Sequence, residues 1–281
     1  MRVQTVSYKD PKASQKFTQS LRETGFAVLA DHPIAHGLIE ETYGEWEKFF
    51  ASEKKHEYTF KQENQLGYFP FRTEKAKNYG FSDLKEFFHY YPARMELPSN
   101  TREFTPKLYR ELYGLGLELL QWVEDFTPAP IREKLSMPLV KMVEGAGDTL
   151  LRPIHYPPLT GSEEQGAVRA AAHEDINLIT LLPAATAPGL EVRDLAGNWH
   201  AVEINPGQLA INAGDMLQMC TERHYISTTH RVVNPKGPAA KLPRFSMPLF
   251  LHPDGEVRLS EQHTARTYLQ ERLREIGLLK K

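Results

Sequence analysis

Residues 168–182, Val-Arg-Ala-Ala-Ala-His-Glu-Asp-Ile-Asn-Leu-Ile-Thr-Leu-Leu, decide the fold. They read as two short β-strands, 168–173 and 177–182, flanking the group His173-Glu174-Asp175. Candidate strands at 149–156, 190–193, 199–204, 208–212, 227–233 and 244–251 surround them, and Gly197-Asn198, Pro206-Gly207 and Asp254-Gly255 supply turns. Short strands punctuated in this way are the sequence pattern of a jelly-roll barrel.

Before Gly147 the pattern is mainly helical. Residues 12–23 predict a helix with Phe17 and Leu21 on one face, stopped by Gly25. A buried strand follows at 26–30, then a helix at 39–50. The strongest helix spans 106–126, where Leu108, Leu112, Leu115, Leu119, Val123 and Phe126 form an apolar stripe suited to packing on a sheet. Residues 264–276 predict a last amphipathic helix ending at Gly277. The expected architecture is a single domain over residues 1–281, mixed α and β. A double-stranded β-helix (jelly-roll, cupin-like) core at 148–255 carries helices packed on one side, with a mainly helical region at 1–147 and a C-terminal helix within 260–281.

A chain of 281 residues can bury a substantial core. A net charge of −2 offers no basic field for nucleic acid or an anionic membrane. Cys220 is the one cysteine, which excludes an internal disulfide and any cysteine-rich zinc module. The first residues lack the apolar core of a signal peptide, and no apolar run reaches membrane-spanning length. A cytoplasmic protein is expected, without nucleic-acid or membrane partners; oligomeric state stays open.

Alternation along a strand puts residues i and i+2 on one face, so His173 and Asp175 would share a cavity while Glu174 points elsewhere. His230, within the β-branched run 227–233, is the candidate third ligand. Two imidazoles and one carboxylate can hold a divalent iron on one face and leave three positions open. A His-x-Asp pair alone is a weak signal; a second, His252-Pro253-Asp254, reads as a turn because Gly255 follows. Arg244 and Ser246 alternate in the same way. A buried arginine needs a partner, either a protein carboxylate or the far end of a dicarboxylate co-substrate, which a guanidinium matches bidentately.

Several stretches together resemble the 2-oxoglutarate/Fe(II)-dependent oxygenases, in particular the isopenicillin N synthase-like branch. They are Leu21 to Leu29, Gly67-Tyr68-Phe69-Pro70-Phe71, Asp83 to Phe88, Tyr156-Pro157-Pro158, His173/Asp175, Pro206-Gly207 to Gly214-Asp215-Met216, His230-Arg231-Val232 and Arg244-x-Ser246. The resemblance covers essentially the whole chain. It implies that His173, Asp175 and His230 bind Fe(II), and that Arg244 and Ser246 bind the distal carboxylate of 2-oxoglutarate, with Tyr156 near its metal-bound end. With dioxygen (O2) as oxidant, a small-molecule substrate would be hydroxylated or desaturated, with release of succinate and CO2. Two positions depart from the family's habit: Ile154 stands where asparagine is frequent, and Glu174 where threonine is common.

For the substrate, the resemblance places Arg72, Tyr79 and His89 in the region bordering the pocket, with one of the three expected to touch it. Arg152, four residues before Tyr156 on the same strand face, is a candidate for a substrate carboxylate. Glu174 would reach the pocket mouth, and favour an amine or guanidine, if the strand breaks directly after His173. Arg231 is expected in a structural ion pair, His155 and His224 as ordinary polar residues, and Asp215 as the cap of a short helix through Glu222. Competing readings are a co-substrate-independent Fe(II) oxidase of the isopenicillin N synthase type, a non-catalytic binding module on the same barrel, and a zinc hydrolase. Substrate identity stays open.

Overall fold

A computed structural model describes residues 1–76 and 79–275. In chain order it contains β1 (Gln4–Ser7), α1 (Ala13–Thr24), β2 (Phe26–Ala30), α2 (His36–Ala51), β3 (Gly67–Phe69), β4 (Glu86–His89) and α3 (Thr105–Asp125). Two short helices follow, α4 (Ala129–Arg132) and α5 (Leu139–Val143), then β5 (Leu150–Leu151), β6 (Ile154–Tyr156), β7 (Ala170–His173), β8 (Ile179–Pro183), β9 (Leu190–Arg193), β10 (Trp199–Ala201) and β11 (Leu209–Ala213). The chain continues through α6 (Asp215–Cys220), β12 (His230–Val232), β13 (Arg244–Ser246), β14 (Leu249–Leu251) and α7 (Ala265–Glu275).

The strands form a six-stranded sheet, β1-β2-β11-β8-β14-β5, and two four-stranded sheets, β10-β9-β12-β7 and β13-β6-β4-β3. Only β1 and β2 run parallel; the other pairings are antiparallel. Enclosed apolar groups such as Phe26, Val28, Val192 and Ala210, and Phe69, Phe87, Ile154 and Val232, fill the jelly roll. The stripe on α3 packs on the six-stranded sheet, with Leu108, Leu112, Leu119 and Val123 fully buried. It stops one step earlier than its spacing predicts: Phe126 caps the helix and is 45% exposed.

Every strand expected after Gly147 is present, most of them shortened or shifted by a residue or two, and two are divided. Residues 149–156 break at Arg152-Pro153 and 244–251 at Met247-Pro248. Proline cannot donate to the ladder, and at these points the chain passes between the six-stranded sheet and the sheet of β13 and β6. The breaks lie together, Arg152 N donating to the Pro248 carbonyl at 2.9 Å. Besides the helices and β2, residues 1–147 also contribute strands β1, β3 and β4, which complete two of the sheets. They are three or four residues long, and β1 and β4 include polar residues, so no apolar run marks them as strands. Helix α7 is present, while the expected stop at Ile276-Gly277 lies outside the described residues. It borders the cavity described below instead of joining the outer helical layer, its Tyr268 hydroxyl donating to Asp215 at 2.8 Å. Among the described residues, no helix is long and apolar enough to cross a membrane.

Gly25 ends α1 at φ +72°, and a Cβ there would lie 2.2 Å from Thr228 Oγ1 and 2.6 Å from the Ile226 carbonyl. The end of α1 therefore rests against the segment leading into β12. Gly25→Ala should lower stability by about 1–2 kcal/mol through backbone strain alone, with the clash adding to that. A thermal melt unchanged from wild type would contradict this packing.

Candidate metal centre

The site begins with a register. His230 of β12 lies directly across from His173 of β7, and the two ring centroids are 4.4 Å apart. His173 Nδ1 bonds the Ala171 carbonyl at 2.8 Å and His230 Nδ1 the Thr228 carbonyl at 3.1 Å. A carbonyl can only accept, so each Nδ1 carries the proton and each Nε2 presents a lone pair. Phe26 meets the His230 ring edge-on at 5.4 Å.

β7 ends at His173, and the chain turns so that Asp175 is buried, with Oδ1 3.9 Å from His173 Nε2 and 3.7 Å from His230 Nε2. Its other oxygen accepts from Thr180 Oγ1 at 2.5 Å and Asn212 Nδ2 at 2.8 Å. Burial alone would raise the Asp175 pKa, but the two imidazoles and these hydrogen bonds hold it below the usual carboxylate value. Burial, with His173 beside it, lowers that of His230. The three ligand atoms lie within 4.8 Å of one another. Two neutral imidazole lone pairs and one oriented carboxylate oxygen fit a divalent metal such as Fe(II).

The loop carrying Asp175 packs tightly on α6. Asp215 N donates to the Asp175 carbonyl at 2.8 Å and Met216 N to the Asn177 carbonyl at 3.0 Å. A Cβ on Gly214 would fall 2.4 Å from the Asn177 carbonyl oxygen, so only glycine allows this approach. Gly214 is the cap residue of α6; Asp215, expected in that role, is its first helical residue. The helix also ends at Cys220, before Glu222.

Arg244 is paired across the sheet with Tyr156, and Ser246 with Ile154. The Arg244 guanidinium lies over the Tyr156 ring at 5.0 Å, and its Nε donates to the Ala187 carbonyl at 2.9 Å. Its Nη1 is buried without a partner, and no carboxylate among the described residues pairs with it. Arg169, four residues before His173, was not anticipated as a site residue. It is 1% exposed, lies over the same tyrosine ring at 5.9 Å, donates to the Leu242 carbonyl, and leaves Nε unpartnered. Burial and the adjacent Arg244 lower its pKa. Two buried guanidiniums without a carboxylate call for an anion. Ile154 packs into the apolar group with Phe69 and Phe87 and offers no polar contact.

His173 and Asp175 open onto a cavity of about 950 Å3, which Lys85, His89, Arg152 and His252 also line. Lys85 Nζ is 2.6 Å from Glu74 and 2.8 Å from Asp83, and Arg152 Nη1 is 3.5 Å from Glu74. Burial opposes both charges of the Lys85–Glu74 pair. Asp83 and Glu74 nevertheless keep the Lys85 pKa raised, and Lys85 and Arg152 keep that of Glu74 lowered. Of the three N-terminal candidates, His89 lines the cavity; Arg72 instead pairs with Glu164 and the Tyr79 hydroxyl donates to the Gly166 carbonyl. Glu174 sits exposed at the cavity mouth, as an immediate strand break predicts, with its carboxylate taken by the Thr229 hydroxyl. His252, read as part of a turn, also lines the cavity, and burial lowers its pKa to about 4. Arg231 pairs with Glu191 and stacks on Trp199, and His155 bonds Glu86, both as expected.

Residues 147–253 match the 2OG-Fe(II) oxygenase superfamily, and residues 4–111 the N-terminal region of the non-haem dioxygenases in morphine synthesis. A 2OG-Fe(II) oxygenase family protein from Caulobacter crescentus is 32% identical over 98% of this chain and 99% of its own, with a TM-score of 0.81. The chain belongs to the 2-oxoglutarate/Fe(II) oxygenase superfamily. A protein from Shewanella oneidensis described as an oxygenase is more similar still, 46% identical over 99% of this chain and all of its own, with a TM-score of 0.89. A 2-oxoglutarate-Fe(II) type oxidoreductase of Aspergillus fumigatus is 37% identical over 110 residues, 39% of this chain and 31% of that protein. The match thus spans about a third of the fungal relative. Fe(II) and 2-oxoglutarate are the cofactor and co-substrate of this oxidoreductase family, and the His-Asp-His cluster is a metal-binding site of the matching kind.

Thr180 and Asn212 orient the Asp175 carboxylate, so Thr180→Val combined with Asn212→Leu should weaken Fe(II) affinity by about 10–100-fold. Anaerobic titration measures it, and unchanged affinity would show that neither residue orients the ligand.

Proposed function

We propose that residues 1–281 act as one oxygenase domain that uses Fe(II), 2-oxoglutarate and dioxygen to hydroxylate or desaturate a small polar molecule. The observation that carries this reading is the open His173-Asp175-His230 face together with the buried, carboxylate-free arginines against Tyr156. His173 and His230 would hold Fe(II) through Nε2 and Asp175 through Oδ1. Once bound, iron supplies the capacity to activate dioxygen, with 2-oxoglutarate giving up CO2 and becoming succinate.

The remaining tasks belong to the protein. Arg244 Nη1 and the Ser246 hydroxyl would take the distal carboxylate of 2-oxoglutarate, and Arg169 adds positive potential beside them. Tyr156, with both guanidiniums within 5.9 Å of its ring centroid, would fix the co-substrate's direction. The substrate would occupy the cavity facing His173 and Asp175, where Lys85, His89 and Arg152 orient it. An oxidase without the co-substrate would use Arg244 on its own substrate's carboxylate. A zinc hydrolase would leave Arg169 and Arg244 without an anion.

His230→Ala should abolish Fe(II) binding in anaerobic titration and leave the circular dichroism spectrum intact, whereas His252→Ala should keep the metal. Equal iron affinity in wild type and the His230 variant would overturn the ligand set. A hydrogen bond to a charged group contributes roughly 1.5–3 kcal/mol, so Arg244→Ala should raise the apparent constant for 2-oxoglutarate at least about ten-fold. Iron affinity should be kept in that variant. No change in the 2-oxoglutarate constant would favour the co-substrate-free oxidase.

A further inference from the structure

Alternation along β4 and its flanks divides two sets of side chains. Glu86, Phe88 and Tyr90 are buried in the protein, and Lys85, His89 and Tyr91 line the cavity. On this wall, the cations Lys85 and Arg152 are matched by the anions Glu74 and Asp83. Charge there is already balanced, so a substrate is not required to neutralise it. Hydrogen bonding is not balanced.

His89 is 4% exposed, and its Nδ1 bonds the Gln65 carbonyl at 2.9 Å. Burial and Arg152 lower its pKa well below the ordinary value, so the ring is neutral and Nε2 is a lone-pair acceptor. That Nε2 is buried with no protein partner. The Arg152 guanidinium is held over Phe87 at 4.9 Å and Phe250 at 5.1 Å, and its Nε donor is also buried without a partner. His89 too sits against the Phe87 ring, at 5.1 Å. An acceptor and a donor are thus fixed beside one aromatic ring, in the cavity that contains two of the metal ligands. A buried polar atom left unsatisfied is costly, and a ligand with the complementary edge removes that cost.

We propose that His89 Nε2 and Arg152 form the substrate-recognition edge, selecting a small molecule that presents an N–H donor beside a carbonyl or carboxylate oxygen. This proposal rests on the oxygenase reading for the meaning of the cavity. Two sources carry that chemistry: an amino-acid head group, with ammonium beside carboxylate, and a cyclic amide, with ring N–H beside carbonyl.

The test uses two probe sets, the free L-amino acids and cyclic amides such as hydantoin and 2-pyrrolidone. Each is compared with its fully N-methylated counterpart, which has no N–H. Affinity is read by calorimetry with and without Fe(II), and succinate formation in the loaded protein. Members of one set should bind and stimulate succinate formation, identifying the source, and N-methylation should weaken binding at least ten-fold. His89→Phe and Arg152→Gln should each do the same while 2-oxoglutarate affinity stays within two-fold. Arg152→Lys keeps a charge beside Glu74 and lacks the Nε donor, so it should show the same loss in a fold that is not in question. Equal affinity for the N-methylated probes, wild-type affinity in the variants, or no binding of either set by the wild type would overturn the proposal. Failure of the wild type to bind 2-oxoglutarate counts against the oxygenase reading alone, because the iron-free titrations still judge the edge.

Discussion

The antiparallel pairing of β12 with β7 is the constraint on which the site depends. It sets His230 across from His173, and a slip of one residue by either strand would turn its imidazole to the other face. Around that pair the protein arranges acceptors for the distal ring nitrogens and donors for one oxygen of Asp175. What stays uncommitted is two lone pairs and one carboxylate oxygen, converging on one point. The segment that supplies Asp175 can lie there because Gly214 lets α6 touch the Asn177 backbone. Gly25 does the same for the approach to His230.

Electrostatics separates the interior into two regions. Around Tyr156, Arg169 and Arg244 give a positive environment completed by backbone carbonyls alone, and an anion is the missing component. Along the inner cavity wall, Lys85, Arg152, Glu74 and Asp83 cancel one another, and the unmatched atoms are the directional His89 Nε2 and Arg152 Nε. The first region suits a co-substrate that always carries charge. The second suits discrimination among small molecules of similar size, because an analogue lacking one polar atom leaves a buried partner unmatched.

Much of this was legible in the residues. The strands after Gly147, the ligand set and the Arg244/Ser246 pair stand on alternation and order, signals that survive without a structure. The Arg152-Pro153 and Met247-Pro248 breaks were readable from the prolines, though not the change of sheet they accompany. Lys85-x-Phe87-x-His89-x-Tyr91 alternates, yet with two charged or polar members it does not look like a strand, and β4 escaped notice. Arg169 stood four residues before His173 and could have been found by extending the same alternation. Glu74 lies in an irregular segment and carries no local signal; only the tertiary structure brings it to Lys85. Arg72 and Tyr79 lie near the pocket in sequence order and are engaged with residues 164 and 166 instead. His252 stands beside the turn dipeptide Asp254-Gly255, which accounts for the local sequence and hides its place in the cavity.

Asp83 links the cavity wall to the strand of His173. One of its oxygens binds Lys85 and the other accepts from the backbone N–H of Ala171 at 2.9 Å, two residues before His173. The strand that carries His173 is therefore fastened to the cavity wall by one buried carboxylate. Selection for a new substrate that acted on Lys85, Glu74 or Asp83 would also move the backbone under His173. Such substitutions share partners, so their effects would not add. Divergence of specificity in this protein is thereby channelled toward residues outside that network, such as those of α7 at the cavity rim.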